Sequence, residues 1–427
     1  MKRELRRVET GLAIIGAGLA GFAASIFALR RGLDTAQLGH TGAIAYTTGY
    51  FDLLGVMDGR VLDEPWAGLD ALREAEPAHP FARLGNDEIR EAFEIFTDAI
   101  SDMGIAYSKP GDHNLSALLP SGVAKPTLSV PATMLPGVEA FRTGAKTLIV
   151  DFPGLQGFSA TEFKVNFAAS WPALSVCRIE FPGFEGQQLY PEVLARSLEA
   201  PHGREPLAEK IRAVLDGAEY VGLPAVLGMH APDEVHADME RRIGARLFEI
   251  PTIPPAVPGI RLREMFEREL PRRGLVLVPQ LKVSRSELGA DGAVHHLQGP
   301  LEDLEISARA TLLATGRFLS GGLYADQAGL RETLLGLPVV QPSGRDNWYR
   351  RDYLDPRGHQ LNRAGLETDA QFRPLDAAGA PVNPRLFAAG AVLAHQDWVR
   401  QRCGAGLAIA AAYGAVKAAA EMLNGSA

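Results

Sequence analysis

The sequence predicts an α/β fold in which a Rossmann-like domain is built from two separated segments, with a second α/β domain inserted between them. An apolar strand pattern at 10–15 leads into a glycine-rich turn, an Ala-rich helix and another strand at 34–38, as in a β-α-β unit. From 108 to 257, prolines become frequent and short strand and helix patterns alternate. After 258, longer helix and strand patterns return, which predicts the second segment of the first domain.

The predicted domain boundaries follow from composition and length. Two stretches rich in proline and glycine, SKPGDHN at 108–114 and PTIPPAVPG at 251–259, are typical of linkers. With 427 residues the chain is longer than one hydrophobic core usually organises, so two domains are expected. Residues 1–107 and 258–427 are therefore assigned to the Rossmann-like domain, and residues 108–257 to the inserted domain.

The spacing of apolar residues predicts the individual elements. In the first segment it predicts helices at 22–31, ending at Gly32, and at 87–104. In the inserted segment it predicts a helix at 160–171 and strands at 146–152, 174–182 and 221–229. In the last segment it predicts helices at 260–274 and 404–423, a hairpin turn at Asp291–Gly292, and strands at 275–279, 283–288, 293–299, 308–316 and 385–393.

Charge and cysteine content exclude several classes of function. The chain carries 43 Lys and Arg against 51 Asp and Glu, a net charge of −8, which argues against nucleic-acid binding and against a strongly basic membrane-binding face. Its two cysteines, Cys177 and Cys403, are too few for a disulfide framework or an all-cysteine iron–sulfur cluster, and they favour a reducing compartment. No signal peptide, transmembrane helix or metal site is predicted, since His295-His296 has no partner motif.

A first glycine motif, GAGLAG, follows the first strand and opens the first helix. In this setting the first glycine makes the tight turn, the second lets the backbone approach a pyrophosphate, and the third lets the helix pack on the strand. The helix N-terminus supplies oriented N–H groups to phosphates. The motif therefore predicts cofactor-binding residues Gly16, Ala17, Gly18, Leu19, Ala20 and Gly21.

Two later motifs occur in the order typical of flavoproteins. The strand at 308–316 ends in Ala314-Thr315-Gly316, where small residues allow the backbone to run close to a cofactor. The strand LFAAGA, with Gly390 and Ala391, precedes Gly404-Ala405-Gly406 and a long helix. In flavoproteins the N-terminus of that helix faces the flavin C2 carbonyl, where its positive end stabilises a reduced flavin. These residues are predicted to bind the cofactor, and the Rossmann-like domain is predicted to be flavin-binding.

The end of the second strand lacks the acidic residue that usually binds the adenosine ribose of a dinucleotide. The position holds Gly39, followed by His40, which is a candidate for contact with a ribose. Without the acid, FAD would be held less tightly at its adenosine, whereas FMN has no adenosine to hold. A complete GAGLAG turn, in contrast, suits a pyrophosphate. The residues alone thus predict a flavin and leave FMN and FAD open.

Several longer stretches identify a family. The sequence resembles flavoproteins of the fumarate reductase and succinate dehydrogenase type and, more closely, the family of B-type subunits of anaerobic glycerol-3-phosphate dehydrogenase. The resemblance spans nearly the whole chain and rests on GLAIIGAGLAG, TTGYFDLLG, EPAHPF, EIPTIPPAVPGIRL, LLATGRFLSGGLYADQAGLRETLLGLPVV and LFAAGAVLAHQD. It departs from the family in AHQDWVRQRCGAGLAI, where a more glycine-rich loop is expected.

The resemblance implies a flavin-bearing subunit, usually assigned FMN, in a three-part complex. Its partners would be a second, A-type flavoprotein subunit and a C-type subunit that carries iron–sulfur clusters and attaches to the membrane. Such a complex oxidises sn-glycerol 3-phosphate to dihydroxyacetone phosphate and passes electrons to quinone. The chain would then be cytoplasmic and peripheral on the inner face of the cell membrane.

Further site candidates come from the loops near these motifs. Thr47, Thr48 and Gly49 stand where this class brings backbone and hydroxyl groups to the flavin N5 edge. His395 and Arg402 lie in the loop before the last helix and are the candidates for catalysis, Arg402 as a bidentate partner of a substrate phosphate. Arg261 is a candidate for a phosphate or flavin contact, with a structural role as the alternative, and Cys403 is predicted to be a small buried residue.

Two other functions fit the same motifs. One is a stand-alone FAD-dependent oxidoreductase of another substrate, such as a 3-ketosteroid or fumarate. The other is a non-catalytic subunit that holds a flavin for electron relay or assembly. The sequence itself names no catalytic base and does not say whether substrate is oxidised on this chain or on a partner.

Overall fold

The computed structural model describes residues 4–39, 42–299, 302–353, 355 and 357–425. The chain divides into two compact units, one of residues 1–43, 52–96 and 266–427 and the other of residues 44–51 and 97–265. These junctions lie at other positions than the boundaries predicted at 107/108 and 257/258. The reason is that two continuous helices, Asn86–Asp102 and Val257–Arg272, run across the junctions. The functional assignment of the three segments stays a prediction.

The first unit contains a seven-stranded sheet with a parallel centre. In spatial order six of its strands are Val276–Pro279, Thr35–Gly39, Glu4–Ile15, Glu302–Leu313, Ala293–Gln298 and Val283–Leu288. The seventh, Leu386–Ala388, pairs parallel with Glu302–Leu313. The first four strands are parallel to one another, and the last two form an antiparallel hairpin around the predicted Asp291–Gly292 turn. The predicted strand at 385–393 is thus only three residues long and is followed by a 3₁₀ turn, Gly390–Val392.

Besides the two helices that cross the junctions, the first unit contains helices Leu19–Arg30, Pro65–Ala75, Trp398–Gln401 and Gly404–Gly425. The first and the last of these pack against the seven-stranded sheet. Short two-stranded sheets join Val56–Met57 to Arg60–Val61 and Leu323–Asp326 to Gly329–Glu332. Helices Leu19–Arg30 and Gly404–Gly425 are both largely buried, and Gly404–Gly425 consists mostly of alanine and glycine, so it can approach its neighbours closely.

The second unit has its own four-stranded parallel sheet. Its strands, in spatial order, are Arg246–Ile250, Tyr220–Pro224, Thr147–Asp151 and Leu174–Arg178. Its further helices are Leu135–Thr143, Ala160–Phe167, Pro191–Ser197, Pro201–Ala213 and Pro232–Ile243, and a hairpin pairs Leu115–Leu118 with Ala124–Thr127. The strands and the helix predicted at 146–229 are therefore present.

A buried ion pair lies in the second unit and explains Arg261. Both guanidinium nitrogens of Arg261 donate to Glu249, over 2.6 and 2.8 Å, and Nε donates to the Gly228 carbonyl at 2.8 Å. Both residues are almost fully buried. All three nitrogens of this guanidinium therefore donate hydrogen bonds to protein atoms. This supports the structural alternative for Arg261 over contact with a phosphate or flavin.

The last helix corrects the expectation that no segment could span a membrane. Among the described residues, the helix Gly404–Gly425 is long and apolar enough to do so by length and composition. Its hydropathy comes mainly from its many alanines. However, 78% of its most apolar stretch is buried inside the protein, as in the core helix of a globular fold.

A buried histidine in the sheet of the first unit makes stability depend on pH. His295 is fully buried, with Nε2 2.9 Å from the Thr311 hydroxyl and Nδ1 2.8 Å from the Ser286 hydroxyl. Burial, and then the neighbouring His296, lower the pKa of His295 to about 4, below its ordinary value of about 6.5. The unfolded chain therefore binds this proton at higher pH than the folded chain does, and stability falls as pH drops from 6.5 towards 4.

We expect His295 to lower the free energy of unfolding by about 2 kcal/mol when the pH is changed from 7 to 5. Asn at position 295 keeps hydrogen-bonding capacity but does not titrate, so His295→Asn should flatten the pH dependence by that amount. Urea titrations of both proteins at the two pH values measure the difference. An equal loss in wild type and variant would show that His295 does not titrate in this way.

Candidate cofactor site

The first glycine motif forms a turn packed against the end of the neighbouring strand. Gly16 has a φ of +140°, and a Cβ there would lie 2.1 Å from the Ala314 carbonyl oxygen. A Cβ on Gly21 would lie 2.1 Å from the Gly16 carbonyl oxygen. Only glycine fits these two positions, because each would otherwise collide with backbone.

Gly18 differs from these two glycines because a Cβ there would meet no atom within 4 Å. It is the N-cap residue of helix Leu19–Arg30, with extended backbone, and no side chain caps this helix end within the described chain. The first N–H groups of a helix have no partner inside the helix and favour an anion. The open face at Gly18 is therefore suited to a phosphate group.

The three sequence motifs meet at the carboxyl edge of the parallel strands. The Ala314 N–H donates to the Ile15 carbonyl at 2.8 Å, and the Ala389 N–H donates to the Leu313 carbonyl at 2.9 Å. Gly390, with a φ of +78°, approaches Ala20 so closely that a Cβ would lie 2.6 Å from the Ala20 Cβ. In open α/β sheets this edge is where ligands bind.

One buried hydroxyl at this edge lacks a partner. Thr315 Oγ1 is shielded from solvent and has no hydrogen-bond partner among the described residues. The next residue, Gly316, has a φ of +67°. Leaving a hydroxyl buried and unbonded costs about 1–3 kcal/mol, which a polar ligand atom would offset. The open Gly18 face and the Thr315 hydroxyl together fit a bound flavin nucleotide.

The residues after the second strand lie directly against the glycine turn. A Cβ on Gly39 would be 3.1 Å from the Ala17 nitrogen, and one on Gly42 would be 1.9 Å from the Ala17 oxygen. Close backbone packing thus accounts for glycine at position 39, which offers no carboxylate to a ribose. His40 lies outside the described residues, so its predicted ribose contact stays a prediction.

The N-terminus of the last helix is bonded to an acid that sequence reasoning missed. The Gly404 N–H donates to Asp52 Oδ2 at 3.0 Å, and the Gly406 N–H donates to the Asp52 carbonyl at 2.6 Å. These two donors are occupied, so cofactor contact by Gly404, Ala405 or Gly406 has to use other atoms and stays a prediction. The signal for Asp52 was a single acid within the apolar stretch YFDLLG.

Thr47, Thr48 and Gly49 belong to the second unit. The Tyr107 hydroxyl donates to the Gly49 carbonyl at 2.8 Å, and Gly49 has a φ of +80°. The Thr47 hydroxyl donates to the Ile44 carbonyl at 3.0 Å. These bonds hold the segment within the second unit, and its contact with a flavin stays a prediction.

The loop before the last helix carries two residues with left-handed backbone, His395 and Arg402, at φ of 63° and 50°. The His395 Nε2 atom pairs closely with a Glu367 carboxylate oxygen, and this hydrogen bond is the main cause that lowers the pKa of Glu367. Arg402 is half-buried, and its guanidinium has no hydrogen-bond or ion-pair partner within the described chain. Cys403 beside it is fully buried.

Within the described residues, no group of three or more His, Cys, Asp or Glu side chains is placed to hold a metal ion.

Comparison with known proteins identifies the family. The family described as FAD binding domain matches residues 11–407. The chain is 30% identical over 424 residues to the B-type subunit of anaerobic glycerol-3-phosphate dehydrogenase from Vibrio cholerae, covering 95% of each protein. The chain belongs to the family of B-type subunits of anaerobic glycerol-3-phosphate dehydrogenase. The predicted resemblance, the Rossmann-like flavin-binding fold and the flavin cofactor are thereby confirmed.

A relative from another organism has a similar identity to this chain. The probable B-type protein of Halobacterium salinarum is 29% identical over 438 aligned positions, which cover 98% of this chain and 99% of the relative. Among solved structures, 3-ketosteroid delta1-dehydrogenase from Sterolibacterium denitrificans is 12% identical with a TM-score of 0.46, covering 98% of this chain and 100% of that one. That likeness is too weak to bear on function.

Proposed function

We propose that this chain is the flavin-bearing subunit of a quinone-linked anaerobic glycerol-3-phosphate dehydrogenase complex. The complex oxidises sn-glycerol 3-phosphate to dihydroxyacetone phosphate and passes electrons through partner iron–sulfur clusters to quinone. The partners are an A-type flavoprotein subunit and a C-type subunit that attaches the assembly to the inner face of the cell membrane, which leaves this chain on the cytoplasmic side. Membership of the B-type family supports the assignment.

The observation that carries the substrate assignment is the unpaired guanidinium of Arg402. This half-buried cation directly precedes the last helix of the flavin-binding unit and has no partner within the described residues. A half-buried arginine is most stable when an anion pairs with it, and its planar fork matches the oxygens of a phosphate. Glycerol 3-phosphate supplies such a phosphate.

The same loop provides a group that can take a proton. In the tautomer of His395 whose Nε2 donates to Glu367, the other ring nitrogen, Nδ1, is an acceptor. We propose that Nδ1 accepts the C2 hydroxyl proton of the substrate and that Glu367 stabilises the resulting charge. A flavin held at the open Gly18 face and the Thr315 hydroxyl would supply the acceptor for the hydride of the C2–H bond, and the ketone of dihydroxyacetone phosphate would be the product.

The test compares two arginines of one loop. Lysine at 402 keeps the charge but loses the bidentate fork, so Arg402→Lys should raise the KM for glycerol 3-phosphate about tenfold with little change in kcat or flavin content. Arg400, two residues away, bonds the Tyr353 carbonyl at 3.5 Å, so Arg400→Lys is the matched control and should behave like wild type. Both variants are assayed in the assembled complex. An unchanged KM for Arg402→Lys would remove Arg402 from the substrate site.

A further inference from the structure

Arg402 has a backbone conformation that few residues with a side chain adopt. Its φ and ψ are 50° and 54°, in the left-handed region. Non-glycine residues stay in this region only where the surrounding structure fixes them, and such positions concentrate at functional sites. The contacts that fix Arg402 therefore bear on what its side chain does.

The peptide groups on both sides of Arg402 are bonded. On the N-terminal side, the Gln401 N–H donates to the Asp397 carbonyl at 2.8 Å, and the Gln401 carbonyl accepts from the Gly55 N–H at 3.0 Å. On the C-terminal side, the Cys403 N–H donates to the Trp398 carbonyl at 3.2 Å. The backbone of Arg402 thus has little freedom.

The side chain of Gln401 completes this arrangement. Its Oε1 atom accepts the Asp397 N–H at 2.9 Å and lies 3.3 Å from Nε2 of His79. His79 is fully buried, and its Nδ1 accepts the Phe81 N–H at 3.2 Å. Because Nδ1 is an acceptor, the ring proton is on Nε2 and is donated to Gln401. His79, 322 positions away in the chain, therefore orients the Gln401 carboxamide, which closes the turn before Arg402.

We infer that His79 and Gln401 are positioning residues that hold the left-handed turn at Arg402 and so aim its guanidinium at the substrate phosphate. The inference rests on the proposed function. The geometry combines a backbone that is bonded on both sides with a guanidinium that has no partner in the described chain. This arrangement is expected of a cation that is preorganised for an anionic ligand, since its backbone is already fixed before the ligand binds.

Two variants break the same bond from opposite ends. His79 caps the short 3₁₀ helix Pro80–Arg83 by accepting from Phe81. Asparagine is a good cap, so His79→Asn keeps that bond but is too short to reach Gln401. Gln401→Leu removes the acceptor and leaves His79 in place. Each variant should raise the KM for glycerol 3-phosphate about tenfold, with kcat within about twofold of wild type.

The double variant separates this bond from unrelated damage. If His79 acts through Gln401, the double variant should have the same KM as either single variant. In an Arg402→Ala background, His79→Asn should have no further effect on KM. Additive effects in either case would overturn the inference, and Gln401→Leu keeps it testable if His79→Asn does not fold.

A substrate without a phosphate distinguishes positioning of Arg402 from a purely structural role of His79 and Gln401. With glycerol in place of glycerol 3-phosphate, kcat/KM should be the same for wild type and variants. His295→Asn is the matched control, because His295 is also buried and bonded at both ring nitrogens but lies in the sheet. It should lower stability and leave KM unchanged. Equal losses with both substrates would show that His79 serves folding alone.

The outcomes for positioning and for function are distinguishable. If Arg402→Lys raises KM and His79→Asn and Gln401→Leu do not, the positioning role is wrong and the substrate assignment stands. If Arg402→Lys also leaves KM unchanged, the substrate assignment itself is wrong. Calorimetric titration of the assembled complex with glycerol 3-phosphate, without an electron acceptor, should rank wild type and variants by affinity in the same order as their KM values.

Discussion

Replacement of Gly18 by valine should give a folded chain that contains no flavin. A Cβ at this position meets no atom within 4 Å, and the backbone there is extended, so valine strains nothing in the protein itself. The added methyl groups instead fill the face through which a phosphate reaches the N–H groups of helix Leu19–Arg30. We expect the 450 nm absorbance of the purified protein to fall by about tenfold or more, which corresponds to about 1.4 kcal/mol or more of lost binding.

Two other glycines serve as controls for Gly18. Gly111 also has open space at its Cβ, so Gly111→Val should keep full flavin content. Gly16→Val should fail to fold, since its Cβ would collide with the Ala314 carbonyl. Circular dichroism verifies folding, and chromatography of heat-released cofactor distinguishes FMN from FAD. A folded Gly18→Val protein with full flavin occupancy would show that the first motif does not form the site.

Quinone reduction should require the whole assembly. The 427 residues contain two cysteines, Cys177 and Cys403, and the second is fully buried, whereas an all-cysteine iron–sulfur cluster takes four. Electrons from a flavin on this chain therefore need a partner protein to reach quinone by way of such clusters. We expect the isolated chain to show at least about a hundredfold less quinone reduction than the complex, a difference of about 2.7 kcal/mol in activation free energy.

The assay uses glycerol 3-phosphate with a quinone analogue and, separately, with a soluble dye. The chain is expressed alone and together with the proposed A-type and C-type subunits. Dye reduction by the lone chain would place substrate oxidation on this subunit, whereas dye reduction only with the A-type partner would favour a relay role. Robust quinone reduction by the lone, monodisperse chain would contradict the subunit assignment and favour a stand-alone oxidoreductase.

The predicted fold was most accurate where it depended on neighbours in sequence. The strand, the turn at Gly16, Gly18 and Gly21 and the helix follow one another directly in the chain, so the glycine spacing and the flanking apolar patterns predict them without knowledge of distant contacts such as Gly16 with Ala314. The hairpin at Asp291–Gly292 is local in the same way. The unit junctions were harder to predict. The Pro- and Gly-rich stretches at 108–114 and 251–259 indicate breaks in the pattern of elements, but they do not show that the junctions fall inside the neighbouring helices.

The site residues that sequence reasoning missed are those with distant partners. Asp52 and His79 both lie in stretches that identify the family, YFDLLG and EPAHPF, and each is a polar residue in an apolar setting. Their burial could be suspected from that pattern. Their partners could not, because Asp52 binds Gly404 across 352 positions and His79 binds Gln401 across 322.

The sequence by itself therefore determined the class of fold, the flavin motifs and the family, since these depend on local periodicity, glycine spacing and motif order. Tertiary structure alone decided which donors remain available. It bonds the N-terminus of the last helix to Asp52, pairs Arg261 with Glu249, and leaves the Arg402 guanidinium and the Thr315 hydroxyl without partners among the described residues. The physical reason is that a buried polar group is satisfied by whatever the fold brings within about 3 Å, and that neighbour is set by packing rather than by position in the chain.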